Sequence, residues 1–132
     1  MNRVIVDSNI FLSGWLFGGN PEKVLHYWSM KKFVLCISPE LQAELINKLQ
    51  NKFHIDNDTI KLLIADIENN SKKFIPKTKI KLSRDPFDNF ILELAEESHA
   101  NFIITGDKDL LILKHYKKTK IVSPTEFLKI IT

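Results

Sequence analysis

The chain has 132 residues, 19 Lys and Arg against 16 Asp and Glu, a net charge of +3 and 44% hydrophobic residues. That length predicts a single domain, 1–132, whose core needs no staples. The lone Cys36 reads as a buried thiol that can form no intramolecular disulfide, Val4-Ile5-Val6 is too short a run for a signal peptide, and nothing approaches the ~18 apolar residues of a membrane span; together these features predict a cytoplasmic protein without a membrane partner.

Val4-Ile5-Val6 is an unbroken β-branched run and predicts a strand buried on both faces, as in a parallel sheet. It ends at Asp7-Ser8-Asn9, and open parallel sheets take their ligands beyond strand C-termini, where strand order reverses. A helix is expected from Asn9 to Phe17, closed by Gly18-Gly19-Asn20, and a second from Pro21 to about Lys31. Phe33 to Ile37 reads as a strand. Ser38-Pro39 is a cap followed by proline, opening a helix to about Gln50. A fourth helix starts at Asn57 or Asp58 and runs through Ile67. Phe74 to Leu82 fits either an exposed edge strand or an extended loop.

Asp85-Pro86 repeats the cap-and-proline start and opens a long helix to about Ser98. The strand Phe102 to Thr105 follows, ending in Gly106-Asp107-Lys108-Asp109. A short helix from Leu110 to Lys114, a short strand at Ile121-Val122 and a capping-box helix from Ser123-Pro124-Thr125-Glu126 complete the chain. Strands alternating with helices mean βαβ units and an α/β fold with a mostly parallel sheet.

Helical spacing sorts the acids. Leu41, Leu45, Ile46 and Leu49 define an apolar stripe that Glu44 borders and Glu40 opposes. On the long helix, Phe87, Phe90, Ile91 and Leu94 are expected inside, with Asp88 at the border and Asn89 and Glu93 facing solvent. Simpler roles stand beside these: Asp7 or Asn9 as a helix cap, Asp107 in a turn, Asp85 and Asp88 as a cap and its partner, Glu44 paired with Lys48 at i+4. Taken jointly, Asp7, Glu44, Asp88 and Asp107 point to one acidic site. Four carboxylates in one pocket raise one another's pKa, and a hard cation such as Mg²⁺ or Mn²⁺ relieves this. His26, His54, His99 and His115 are scattered, so no zinc-ligand spacing exists. Lys72, Lys73, Lys77, Lys79, Lys81 and Arg84 form a basic stretch without an intervening acid. It suits either a polyanionic partner or a solvated surface.

The motifs resemble those of the PIN-domain family over essentially the whole chain. Asp7-Ser8-Asn9 is similar to the family's opening motif, and Ser38-Pro39-Glu40-Leu41 through Glu44-Leu45 to its second. Arg84-Asp85-Pro86-Phe87-Asp88 and Thr105-Gly106-Asp107-Lys108-Asp109-Leu110-Leu111 are similar to the third and fourth. One departure is Asn89, where close relatives often carry a further acid. The resemblance implies a three-layer α/β/α sandwich and a metal-dependent ribonuclease, in a branch similar to toxins of toxin–antitoxin pairs. Asp7, Glu44, Asp88 and Asp107 would hold one or two Mg²⁺ or Mn²⁺ ions, with Asp109 as an outer ligand. Ser8, Asn9 and Thr105 would position ligands or a phosphate, and the residues from Lys72 to Arg84 would track RNA. A cognate antitoxin and a homodimer are the further partners it leaves open. Two other readings remain: a nucleic-acid-binding module with little turnover, and an aspartyl phosphotransfer or phosphatase domain. Against the latter, Asn9 stands where a second acid is wanted.

Overall fold

The computed structural model describes residues 1–132. In chain order the elements are β1 (Arg3–Val6), α1 (Ser8–Leu16), α2 (Gly19–Ser29), β2 (Val34–Ile37), α3 (Pro39–Asn47), α4 (Asn57–Asn69), β3 (Ser71–Lys73), α5 (Pro86–Ser98), β4 (Phe102–Ile104), α6 (Lys108–Leu111), β5 (His115–Tyr116), β6 (Thr119–Val122) and α7 (Pro124–Ile131). One six-stranded sheet has the order β3-β2-β1-β4-β6-β5. All neighbours are parallel except β5 and β6.

The layering follows from connection handedness. The path from β1 to β2 crosses the sheet in one direction, and the path from β3 to β4 crosses it in the other. Right-handed crossovers therefore put α1 and α2 on one face and α5 on the opposite face. The result is a three-layer α/β/α sandwich around a mostly parallel sheet. Covered on both sides, the central strands have no polar face: Val4, Ile5, Val6, Ile103 and Ile104 are fully buried. Helix α5 packs on β1 and β2, and α7 on β6 and α2. Phe127 of α7 seals the strand starts edge-on to Phe33 and Phe102, with centroids 5.5 and 5.6 Å away. No helix is long and apolar enough to cross a membrane.

Several boundaries differ from expectation. The edge strand lies at Ser71–Lys73, ahead of the alternating stretch, and pairs with β2 in the register Leu35 to Ser71. Helix α3 stops at Asn47 and continues as a π-helical turn over Lys48–Lys52. Helix α6 begins at Lys108 because Asp107 caps it. The strand β5 then follows at His115–Tyr116, where the sequence marks no element.

The main correction concerns α5. Asn89 and Glu93 do not face solvent; they are 8% and 4% exposed. The segment between β3 and α5 lies over them; Phe74 N still donates to Ile37 O of β2 at 2.8 Å, and beyond it the backbone has no sheet partner. Side chains of α5 supply the missing acceptors: Glu97 Oε1 for Lys77 N at 3.2 Å, Glu93 Oε2 for Ile80 N at 2.9 Å and Asn89 Oδ1 for Ser83 N at 2.8 Å. Asn89 Nδ2 also donates to Ser83 O at 2.8 Å. A buried backbone group left unpaired is costly, and polar residues on this face remove that cost.

Asn89→Ala leaves both Ser83 groups without partners. It should lower unfolding free energy by about 1–3 kcal/mol in urea melts, and amide exchange at Ser83 should accelerate well beyond that at the β1–β4 ladder.

Candidate metal centre

After β1 the chain moves through β2 and β3 at one side of the sheet, then returns to β4 on the other side of β1. The C-terminal ends of β1 and β4 therefore flank the switch point of the fold. Asp7 follows β1 directly, and its N–H extends the ladder by donating to Ile104 O at 3.0 Å. Asp7 is 3% exposed. The Thr105 hydroxyl donates to Asp7 Oδ2 at 2.7 Å and accepts from Asp107 N at 3.0 Å. One hydroxyl thus fixes both strand ends. Ser8 Oγ lies 3.5 Å from Asp7 Oδ1.

Asp107 Oδ1 accepts from Asp109 N at 2.7 Å and Leu110 N at 3.3 Å, turning the chain into α6. Asp88 stands in the first turn of α5 and is 2% exposed. Ser83 Oγ donates to its Oδ2 at 3.3 Å. Asp85 caps α5 by accepting from Phe87 N at 3.0 Å. One carboxylate oxygen from each of Asp85, Asp88 and Asp107 lies within 4.8 Å of the others.

This crowding has an electrostatic signature. Burial raises the Asp88 pKa from 3.8 to about 6, with the charges of Asp107 and Asp85 adding to it and the Ser83 hydroxyl opposing it. Burial also raises Asp7; the Thr105 hydrogen bond and the Lys48 charge oppose that shift, and Asp107 adds to it. Carboxylate oxygens gathered this closely, with the ionised forms of Asp88 and Asp7 disfavoured, fit a hard divalent cation. Its potential ligands are all carboxylates, with no histidine or cysteine among them, so the donor set does not fit zinc.

The expected residues do not all come together. Asp7, Asp88 and Asp107 converge, with Ser8 and Thr105 buried beside them. Glu44 belongs to a neighbouring wall: it pairs with Lys48 at 3.4 Å and lines a groove with Asp85 and Phe87. Asp109 lies outside the three-aspartate cluster and meets Arg84 at 3.7 Å. Asn9 is exposed and accepts from Lys48 Nζ at 2.9 Å. Lys72, Lys73, Lys77, Lys79, Lys81 and Arg84 are all exposed, along β3 and the segment that leads into Asp85.

Two residues here were read only in their simpler roles. Asp85 is a helix cap, but a cap engages one oxygen and leaves the other for the cluster. Lys48 is the i+4 partner of Glu44, but its ammonium also reaches Ser8 and Asn9. The sequence signals were the short Asp85-to-Asp88 spacing and the position of Lys48 one turn beyond Glu44.

The family described as PIN domain matches residues 3–109, a span that takes in all of these acids and ends before β5. None of the curated proteins compared matches the chain.

Metal-free protein should carry the cost of the cluster. The folded pKa of Asp88 is raised, so the native state holds a proton that the unfolded chain releases near pH 4. The Asp88 contribution to stability is then lost as pH rises from about 4 to about 6. Asp88→Asn removes that dependence. In EDTA its melting temperature relative to wild type should rise across this window and equal or exceed wild type at pH 7. A mutant that melts well below wild type at pH 7 identifies Asp88 as a structural residue.

Proposed function

The chain belongs to the PIN-domain family, and from that premise we propose that it is a divalent-metal-dependent endoribonuclease, with residues 1–132 acting as one nuclease domain. Members of that family are typically nucleases. The observation that carries the reading is the meeting of Asp85, Asp88 and Asp107 oxygens within 4.8 Å at the switch point.

Asp7, Asp85, Asp88 and Asp107 would hold Mg²⁺ or Mn²⁺. When bound, the cation supplies Lewis acidity toward water and phosphodiester. The protein supplies the rest. Thr105 holds Asp7 in one rotamer and ties it to the Asp107 turn, so the donor set is organised before any ligand arrives. Ser83 orients Asp88 in the same way. Water attacks phosphorus, the P–O bond to the leaving ribose oxygen breaks, and that oxygen gains a proton. The proton that the attacking water releases balances the one this oxygen gains.

The lysines from β3 to Arg84 form the backbone track for a polynucleotide. Exposed, and converging in sequence on Asp85, they lower the repulsion between an acidic pocket and a polyanion. A toxin role in a toxin–antitoxin pair, a cytoplasmic location and a small protein antitoxin complete the proposal; genes adjacent to this one test it.

Purified protein should cleave single-stranded RNA with Mg²⁺ or Mn²⁺ and stop in EDTA, and Asp88→Asn should lose at least about a hundredfold. Cleavage that survives rigorous chelation overturns the mechanism. A deoxyribonucleotide of the same sequence decides between RNA and DNA. Replacing Lys77, Lys79 and Lys81 by Glu should weaken RNA binding and flatten its salt dependence, because fewer counterions are released. An unchanged slope places the RNA elsewhere.

A further inference from the structure

Lys48 is held in a way that an ordinary helix ion pair is not. Its Nζ lies 2.9 Å from Asn9 Oδ1, 3.3 Å from Ser8 Oγ and 3.4 Å from Glu44 Oε1. The same atom is 5.7 Å from the centroid of the Phe87 ring. Four residues from α1, α3 and α5 thus surround one ammonium whose side chain is only 20% exposed. The backbone is adjusted at this residue: α3 gives way to a π-helical turn beginning at Lys48. Wide turns of this kind are rare and recur at functional sites. The charge of Lys48 also reaches Asp7, so the ammonium stands beside the acidic pocket.

We propose that the Lys48 ammonium is a second, built-in cation of the site, binding a phosphate oxygen of the polynucleotide on the Glu44 wall while the aspartate cluster takes the divalent metal. The inference rests on the nuclease reading for its ligand. A phosphodiester that approaches four aspartates is repelled unless positive charge meets it on both sides. Its three donors face Asn9, Ser8 and Glu44, so a phosphate oxygen takes the place of the Ser8 hydroxyl at 3.3 Å, while the carboxylate pair with Glu44 lies outside the Asp85–Asp88–Asp107 cluster. Glu44, Ser8 and Asn9 surround it with oxygens much as ligands surround a metal. Glu44 is then a positioning residue for Lys48, which explains why it lies apart from the cluster. The Phe87 ring faces the ammonium itself, from the first turn of the helix that carries Asp88.

Lys48→Met keeps a flexible unbranched side chain and removes the charge; Lys48→Gln removes the charge but keeps a donor. Binding of a labelled single-stranded oligoribonucleotide is measured in EDTA at several salt concentrations, with Mn²⁺ titration and cleavage kinetics in parallel. Both variants should bind about tenfold more weakly, with the log–log salt slope smaller by about 0.7, one phosphate contact on a single strand. Lys48→Arg should recover most of the affinity. Wild type and both neutral variants should bind one Mn²⁺, the neutral variants no more weakly than wild type. Unchanged RNA affinity and slope in either folded neutral variant overturn the proposal, as does a second Mn²⁺ in wild type. If wild type fails to cleave any RNA while the binding results hold, the nuclease reading falls and the phosphate site stands. If wild type cleaves and the neutral variants bind RNA unchanged, the nuclease reading stands and Lys48 has no part in it.

Discussion

The hydrogen bond from the Thr105 hydroxyl to Asp7, 2.7 Å long, joins the ends of the two central strands. Parallel neighbours in register bring Val6 beside Ile104, so the residues that follow them are bound to meet. In an apolar sheet those next positions are the first where the chain can carry charge. Thr105 then links Asp7 to the Asp107 turn by accepting from its backbone. Everything acidic in the site is placed relative to this junction.

Helix α5 brings the opposing charge group to the junction, and it serves two faces to do so. Its inner face is aliphatic and rests on β1 and β2. Its outer face carries Asn89, Glu93 and Glu97, which accept hydrogen bonds from a backbone segment that has no strand to pair with. That segment delivers Ser83, Arg84 and Asp85 to the helix start. Ser83 holds Asp88, Asp85 caps the helix, and Arg84 meets Asp109. The aspartates are therefore crowded by covalent and hydrogen-bonded constraint. The raised pKa of Asp88 results first from burial and then from that crowding. Such an arrangement is unfavourable when empty, which is the expected character of a site organised for a cation.

The strands Val4–Val6 and Phe102–Ile104, the caps at Ser38, Asp85 and Ser123, and the α/β alternation were legible in the sequence. Each depends on local signals: a continuous apolar run, or a cap before proline at the first helical position. The convergence of Asp7, Asp88 and Asp107 was legible for the related reason that strand ends and helix starts in parallel sheets gather at one edge.

The tertiary structure alone decided the rest. Ser71–Lys73 has no hydrophobic pattern and is a strand only because β2 offers it an open edge. The β5–β6 hairpin turns at Lys117, with φ 51°, a left-handed conformation that the sequence marks with neither glycine nor asparagine. Asn89 and Glu93 looked solvent-facing because helical periodicity reports polarity, and polarity serves equally well to face water or to satisfy a buried backbone. Asp85 and Lys48 hid behind a cap and an i+4 pair for the same reason. Sequence spacing shows the nearest partner of a charged group, whereas the full set of atoms that surround it is fixed only when distant elements pack together.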